Sequence, residues 1–203
     1  MIDLHYELDL WMKGIARVAA IDEAGRGPLA GPVVAAAVVF PPSTWIDGVN
    51  DSKKLSPDQR EEMYGRIMQL AEGVGVGIVT HEIIDQINIL QATHRAMEEA
   101  VAHIVPAPEY LLIDGRSLHT FEIPFTAIVD GDARSFSIAA ASIMAKVSRD
   151  RLMLEFDKQY PDYGFAQHKG YGTKQHYEAL QKFGPCAIHR RSFRLASNIP
   201  GPL

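Results

Sequence analysis

The chain has 203 residues and a single cysteine, Cys186, which excludes an intrachain disulfide and a zinc cluster built on thiolates. At 47% hydrophobic and 22% charged it can bury a sizeable core without covalent staples, while a formal net charge of −5 speaks against a uniformly basic nucleic-acid binder. Met1 to Arg17 carries Asp3, Glu7 and Asp9 and does not read as a signal peptide, and the longest apolar run, Val33 to Pro42, is too short to span a bilayer, so a reducing cytoplasm is the expected setting.

In chain order, Arg17 to Ile21 predicts a short strand entering Asp22-Glu23, followed by a glycine- and proline-rich turn from Gly25 to Pro32. Val33 to Phe40 is β-branched and apolar and predicts a buried strand. Ser56-Pro57 predicts the N-cap and first turn of a helix from about Asp58 to Glu72. Val74 to Thr80 predicts a strand, and a helix starts near Asp85, with Ile89, Leu90, Met97 and Val101 at roughly helical spacing. Tyr110 to Ile113 and Phe125 to Val129 are short apolar runs that end in Asp114-Gly115 and Asp130-Gly131-Asp132. Ser135 to Tyr160 is a long helical pattern free of glycine and proline, and beyond Pro161 the chain turns irregular and basic, with a short helix over Tyr177 to Phe183. Strands alternating with helices predict an α/β core. Residues 1–203 read as one domain, with about 161–203 as a basic C-terminal part.

Charge is unevenly spread. From Lys146 to the end, ten lysines and arginines stand against five acids. Chance asymmetry on a solvated surface gives such a count. So does a nuclease with acids at its centre and bases along a duplex track.

The acids themselves are more informative. Asp22, Asp114 and Asp132 each follow a strand-like run directly or within three residues, and Glu23 adds a fourth carboxylate beside the first. They are expected to converge on one rim of the sheet, held by rigid backbone yet open to ligand. Clustered carboxylates repel one another unless a cation sits between them. An oxygen-only set suits Mg²⁺ or Mn²⁺ rather than zinc, and two such ions form a phosphodiester-cleaving site. Each acid alone has a plainer reading: Asp132 as N-cap of the long helix, Asp114-Gly115 as a turn, Asp22-Glu23 as a solvated strand end. Gly25-Arg26-Gly27-Pro28-Leu29-Ala30 has the GxGxxA shape of a dinucleotide loop, but two acids precede it, Pro28 lacks a donor, and a β-branched run follows where a helix is needed. A glycosidase pair of carboxylates finds no support in the basic C-terminal segment.

Longer motifs carry a resemblance. Ile21-Asp22-Glu23-Ala24-Gly25-Arg26-Gly27 with Leu29-Ala30-Gly31-Pro32-Val33, then Asp51-Ser52-Lys53-Lys54-Leu55, Leu112-Ile113-Asp114-Gly115 and Gly131-Asp132-Ala133 resemble, in order, motifs of the bacterial ribonuclease HII family, a type 2 ribonuclease H. So do Ser137 to Ile143, Ala145-Lys146-Val147, His168 to Thr173 and His189 to Phe193, so the likeness runs from about Val18 to Phe193. Arg134 and Phe136 depart from the more usual lysine and leucine. The resemblance implies an RNase H-like α/β fold, a mixed sheet flanked by helices with a small helical C-terminal extension. It implies Asp22, Glu23, Asp114 and Asp132 as metal-binding catalytic acids, with Mg²⁺ or Mn²⁺, two per site with substrate. It implies Gly25, Arg26 and Gly27 as the loop sensing a ribose 2′-hydroxyl, and Tyr171 packing on the neighbouring deoxyribose.

The implied partners are RNA–DNA hybrid and ribonucleotide-containing duplex DNA, cut by a two-metal-ion mechanism, with nicks 5′ to the ribonucleotide that leave 3′-hydroxyl and 5′-phosphate ends. No membrane and no obligate protein partner are expected, and the chain is expected to be a monomer. Lys53 and Lys146 are expected to contact phosphates, and Lys169 and Arg190 to line the duplex, whereas His168 and His189 read as structural. The alternatives are a catalytically silent hybrid-binding module and a phosphate-binding metabolic α/β protein.

Overall fold

The computed structural model describes residues 2–116 and 121–193, so Arg194, one of the bases counted above, lies outside the described residues. Five strands form one mixed sheet in the order β3-β2-β1-β4-β5. β1 (Val18–Ala24) pairs antiparallel with β2 (Val33–Val39), and β2 antiparallel with β3 (Gly73–Val79). On the other side β1 pairs parallel with β4 (Tyr110–Asp114), and β4 parallel with β5 (Phe125–Ile128).

The alternation of side chains along each strand divides the sheet between two cores. Ala19, Ile21, Ala35, Ala37, Leu111 and Ile113 face α3 (His81–Ala102). Ala36, Val38, Ala20 and Leu112 face the side covered by α4 (Phe136–Gln159). β2 is buried along its whole length because it is covered on both sides. Small residues let the helices lie close: a Cβ on Gly75 or Gly77 would come within 1.9 and 2.0 Å of the carbonyl oxygens of Ala100 and Ala96 on α3.

Local chemistry accounts for most element starts. Ser56 caps α2 (Pro57–Leu70) in a reciprocal box with Gln59. Ser135 caps α4, its Oγ accepting the Ile138 N–H at 3.1 Å. α3 begins at His81, four residues before the expected start, and is two helical segments meeting at Asn88, where φ is +68°. Asn88 Oδ1 accepts the N–H groups of Leu90 and Gln91 and so caps the second segment, the one whose spacing is legible from Ile89 onward. α1 (His5–Trp11) is absent from the sequence expectations. Its buried Glu7 accepts hydrogen bonds from the Ser135 hydroxyl at 2.6 Å and the Ser137 N–H at 2.9 Å, a carboxylate at the positive end of α4.

The C-terminal part holds α5 (Phe165–His168) and α6 (Lys174–Phe183), the latter starting three residues before the expected Tyr177. Tyr163, Phe165, Leu180 and Ile188 pack with Leu29, Ala30 and Met153 as a separate apolar cluster. This extension is thereby anchored on the loop between β1 and β2. Among the described residues no helix is long and apolar enough to cross a membrane.

Candidate active site

β1 and β4 run parallel with Ile21 aligned to Ile113, so the next residues, Asp22 and Asp114, stand side by side where β4 ends. β1 continues to Ala24, which places Asp22 and Glu23 inside the strand and on opposite sides of it. Asp22 is 5% exposed. Its Oδ1 accepts the Glu23 N–H at 2.7 Å, and Ser142 of α4 lines the same pocket as this carboxylate. Ser142 Oγ lies 2.9 Å from Ser52 Oγ. Asp114 Oδ1 accepts the Gly131 N–H at 2.6 Å and so draws the turn after β5 up to the end of β4. That 3-10 turn, Gly131–Ala133, carries the buried Asp132. Because Ser135 caps α4, the plainer reading of Asp132 as the helix cap does not hold.

The electrostatics are those of crowded acids. Burial pushes the Asp22 carboxyl well above the usual carboxylate value, and the charges of Glu23 and Asp114 push it further. Glu23 is also raised by burial, against the pull of Arg26, whose NH1 lies 3.2 Å from Oε1. Asp114 is raised by burial and then by Asp132. One lysine relieves this wall. Lys53 projects from a 3-10 turn that Asp51 caps through the Lys53 N–H, and its Nζ lies 3.0 Å from Asp132 Oδ2. Among the described residues no three His, Cys, Asp or Glu side chains converge closely enough to enclose an ion by themselves. The donor set is nonetheless all oxygen and short of positive charge. It fits hard cations that complete their shells with substrate oxygens and water rather than a cage of protein ligands.

A cleft of about 240 Å³ joins these acids to the anticipated substrate-facing groups. Asp22, Glu23 and Asp114 line it together with Gly25, Arg26 and Gly27, and with Lys53, Lys146 and Tyr171. Asp132 does not line the cleft and reaches it through Lys53. Tyr171 is 44% exposed, so it is not a core residue. A Cβ on Gly27 would meet its Cε1 at 3.7 Å. Lys146 Nζ bonds Asp150 at 2.7 Å, and burial lowers its pKa.

One expectation for the duplex track needs correction. Arg190 is fully buried and cannot line a duplex; its guanidinium donates to the carbonyls of Gly25, Arg26, Gly31 and Pro32. Lys169 is half-buried, folds its ammonium back onto the Ala166 carbonyl, and lines a second cleft with Lys146 and Arg151. His168 and His189 are buried in the C-terminal cluster around His176. Burial pushes His176 and His189 down to about 4, leaving both neutral. Sequence reasoning assigned no role to Ser52 or Ser142, and to Arg149 none beyond that of one of the ten C-terminal bases. The signal for the last two was spacing: Arg149 follows Ser142 by seven residues, two turns along one face of α4.

The comparisons with known proteins agree with this geometry. The family profile described as Ribonuclease HII matches residues 19–196. A ribonuclease HII of Acetivibrio thermocellus is 56% identical over 188 residues, 93% of this chain and 73% of that protein. The crystal structure of ribonuclease H2 from Pyrococcus horikoshii superposes with a TM-score of 0.72 at 28% identity, over 87% of this chain and 93% of that one. A PCNA:RNase HII complex from Archaeoglobus fulgidus gives the same TM-score at 27% identity, over 89% and 96%. With a match from one end of the sheet to the C-terminal part, and relatives well past half identity, the chain belongs to the ribonuclease HII family, hydrolases that cut RNA.

Proposed function

We propose that this protein hydrolyses the RNA strand of RNA–DNA hybrids and nicks duplex DNA on the 5′ side of an embedded ribonucleotide, with Asp22, Glu23, Asp114 and Asp132 as the catalytic acids. The observation that carries the reading is the single cleft that joins crowded carboxylates to the Gly25–Gly27 loop and the Tyr171 ring. Acids alone cannot tell RNA from DNA, because both present the same phosphodiester. The 2′-hydroxyl is what differs, and backbone groups of a glycine loop can test it as donor and acceptor.

Divalent metal dependence goes with the family, and Mg²⁺ or Mn²⁺ fits the oxygen donors of these four residues. When bound, the ions stabilise charge on the phosphoryl oxygens and activate water. The chain's own part is to orient and to neutralise. The Glu23 N–H, donating to Oδ1, orients the Asp22 carboxylate. Lys53, mostly exposed and paired only with carboxylates, is free to exchange Asp132 for a phosphate oxygen. Tyr171 offers a flat ring that a deoxyribose fits and a sugar with an extra hydroxyl fits less well. Attack by water leaves a 3′-hydroxyl and a 5′-phosphate.

The test is a duplex with one embedded ribonucleotide, incubated with Mg²⁺, with Mn²⁺ or with chelator, and the nick mapped at nucleotide resolution. A single metal-dependent nick 5′ to the ribonucleotide is the expected result. Hybrid binding without cleavage in either metal refutes the nuclease reading and leaves a binding module.

A further inference from the structure

Two arginines meet behind the glycine loop. Arg149, from α4, donates its Nε to the Pro32 carbonyl at 2.9 Å, NH1 to Lys169 at 3.0 Å and NH2 to Ala30 at 3.1 Å. Arg190 donates Nε to Gly31 at 2.9 Å, NH1 to Arg26 at 2.9 Å, and NH2 to Gly25 at 2.6 Å and Pro32 at 3.2 Å. Both side chains are buried, 1% and 0% exposed; burial lowers the pKa of each, and the Arg149 charge lowers that of Arg190 further. Among the described residues neither forms an ion pair with a carboxylate; every acceptor is a backbone carbonyl. Such a pair is an expensive way to stabilise a fold, because apolar residues of similar volume commonly do as well or better. What seven directed hydrogen bonds supply is geometry. They tie three segments together: the loop from Gly25 to Pro32, the Lys169–Tyr171 turn, and the chain at Ile188–Arg190, which also pairs through Gly31 N–H to Ile188 O and Arg190 N–H to Leu29 O. Leu29 N–H donates to Gly170 O at 2.8 Å, and the Arg149 guanidinium carbon lies 6.0 Å from the Tyr171 ring centroid.

We propose that Arg149 and Arg190 are positioning residues for ribose recognition: their guanidiniums hold the Gly25–Gly27 loop and Tyr171 in one register and so set the gap into which the sugar enters. The proposal rests on the ribonucleotide-directed reading of the cleft. It separates two substrates. At a lone ribonucleotide the loop and the ring must meet one ribose and one deoxyribose in a single register. A continuous RNA strand offers a ribose at every register and tolerates a displaced loop.

The experiment replaces each arginine by lysine. Lysine keeps the charge but, as a point donor, cannot span the carbonyls of the loop. Rates are measured in Mg²⁺ on a duplex with one ribonucleotide and on a full RNA–DNA hybrid, with thermal melting alongside. Nicking at the single ribonucleotide should fall on the order of 10²-fold, as for a displaced reacting group, and about tenfold less on the hybrid. In a Tyr171→Ala background Arg190→Lys should add little further loss at the single ribonucleotide, because both act through one contact. Equal losses on the two substrates, additive losses with Tyr171→Ala, or lysine variants that no longer melt cooperatively would each assign the pair to stability and overturn the proposal. Wild-type protein that cuts neither substrate overturns the functional reading itself.

Discussion

Gly25 and Gly27 belong to one short motif, yet the structure gives them different work, and alanine scanning separates the two. Gly25 has φ of +99°, and a Cβ there would lie 2.1 Å from Arg149 Nε, 2.4 Å from Arg149 Cδ and 2.8 Å from the Pro32 carbonyl. The left-handed backbone costs roughly 1–2 kcal/mol for an L-residue, and forcing a methyl into a packed site costs about 1–3 kcal/mol more. Arg149 cannot swing aside cheaply, because its guanidinium is committed to three carbonyls. Gly25→Ala should therefore destabilise by about 2–5 kcal/mol, a fall in melting temperature of about 4–20 °C for a chain of this size. Gly27 has no such constraint, since its added Cβ meets only Tyr171 Cε1 at 3.7 Å, an ordinary contact. Gly27→Ala should melt within about 0.5–1 kcal/mol of wild type while slowing the nick at a single ribonucleotide, because the methyl narrows the space before the ring. Denaturant unfolding and ribonucleotide nicking of both variants are the assay. If Gly25→Ala melts with the wild type, or Gly27→Ala is the more destabilised of the two, the division of labour argued from the loop is wrong.

Three further outcomes are expected. Asp132→Asn should abolish cutting with little loss of stability, since the amide keeps the shape of the buried side chain and its partner Lys53, 79% exposed, is left in solvent. Asp130→Asn, at an exposed left-handed position that asparagine accepts, should cut nearly as wild type, and equal losses in the two would remove the reason for choosing Asp132. Duplex affinity should fall with salt, but less steeply than ten C-terminal bases suggest: Arg149 and Arg190 are buried, and with about 3–6 phosphate contacts the slope of log K against log salt should lie at about −3 to −5. A titration giving a flat line would rule out the track, and one near −9 would mean the buried arginines are reached after all. Finally, Asp22 binds its proton more tightly folded than unfolded, so the folded chain holds more protons above the unfolded value of about 3.8. The metal-free fold should lose stability as pH rises from there through the folded value, and Asp22→Asn should melt higher in chelator near neutral pH. A variant that melts lower across that range contradicts the electrostatic account.

Much of this was legible in the chain itself. Element identity follows from short-range chemistry: the β-branched run at Val33, the Ser56-Pro57 cap and the unbroken pattern from Ser135 each act within a few residues. The acids declared themselves because Asp22 and Asp114 terminate apolar runs, and parallel pairing of those runs brings them side by side. The helix at His5–Trp11 stayed hidden because its reason is distant: Glu7 satisfies the start of α4, more than a hundred residues on. The second half of α3 was readable and its first half was not, because Asn88 breaks the period between them. Arg149 and Arg190 look in the sequence like two more of the bases counted from Lys146 onward. Only the tertiary fold shows them buried, because what they bond is a set of backbone carbonyls, and carbonyl direction depends on how the loop between β1 and β2, the Lys169 turn and the C-terminal segment pack against one another. Residue types named the reaction; the gap between Gly27 and Tyr171, proposed above to select the substrate, exists only once those three segments are in place.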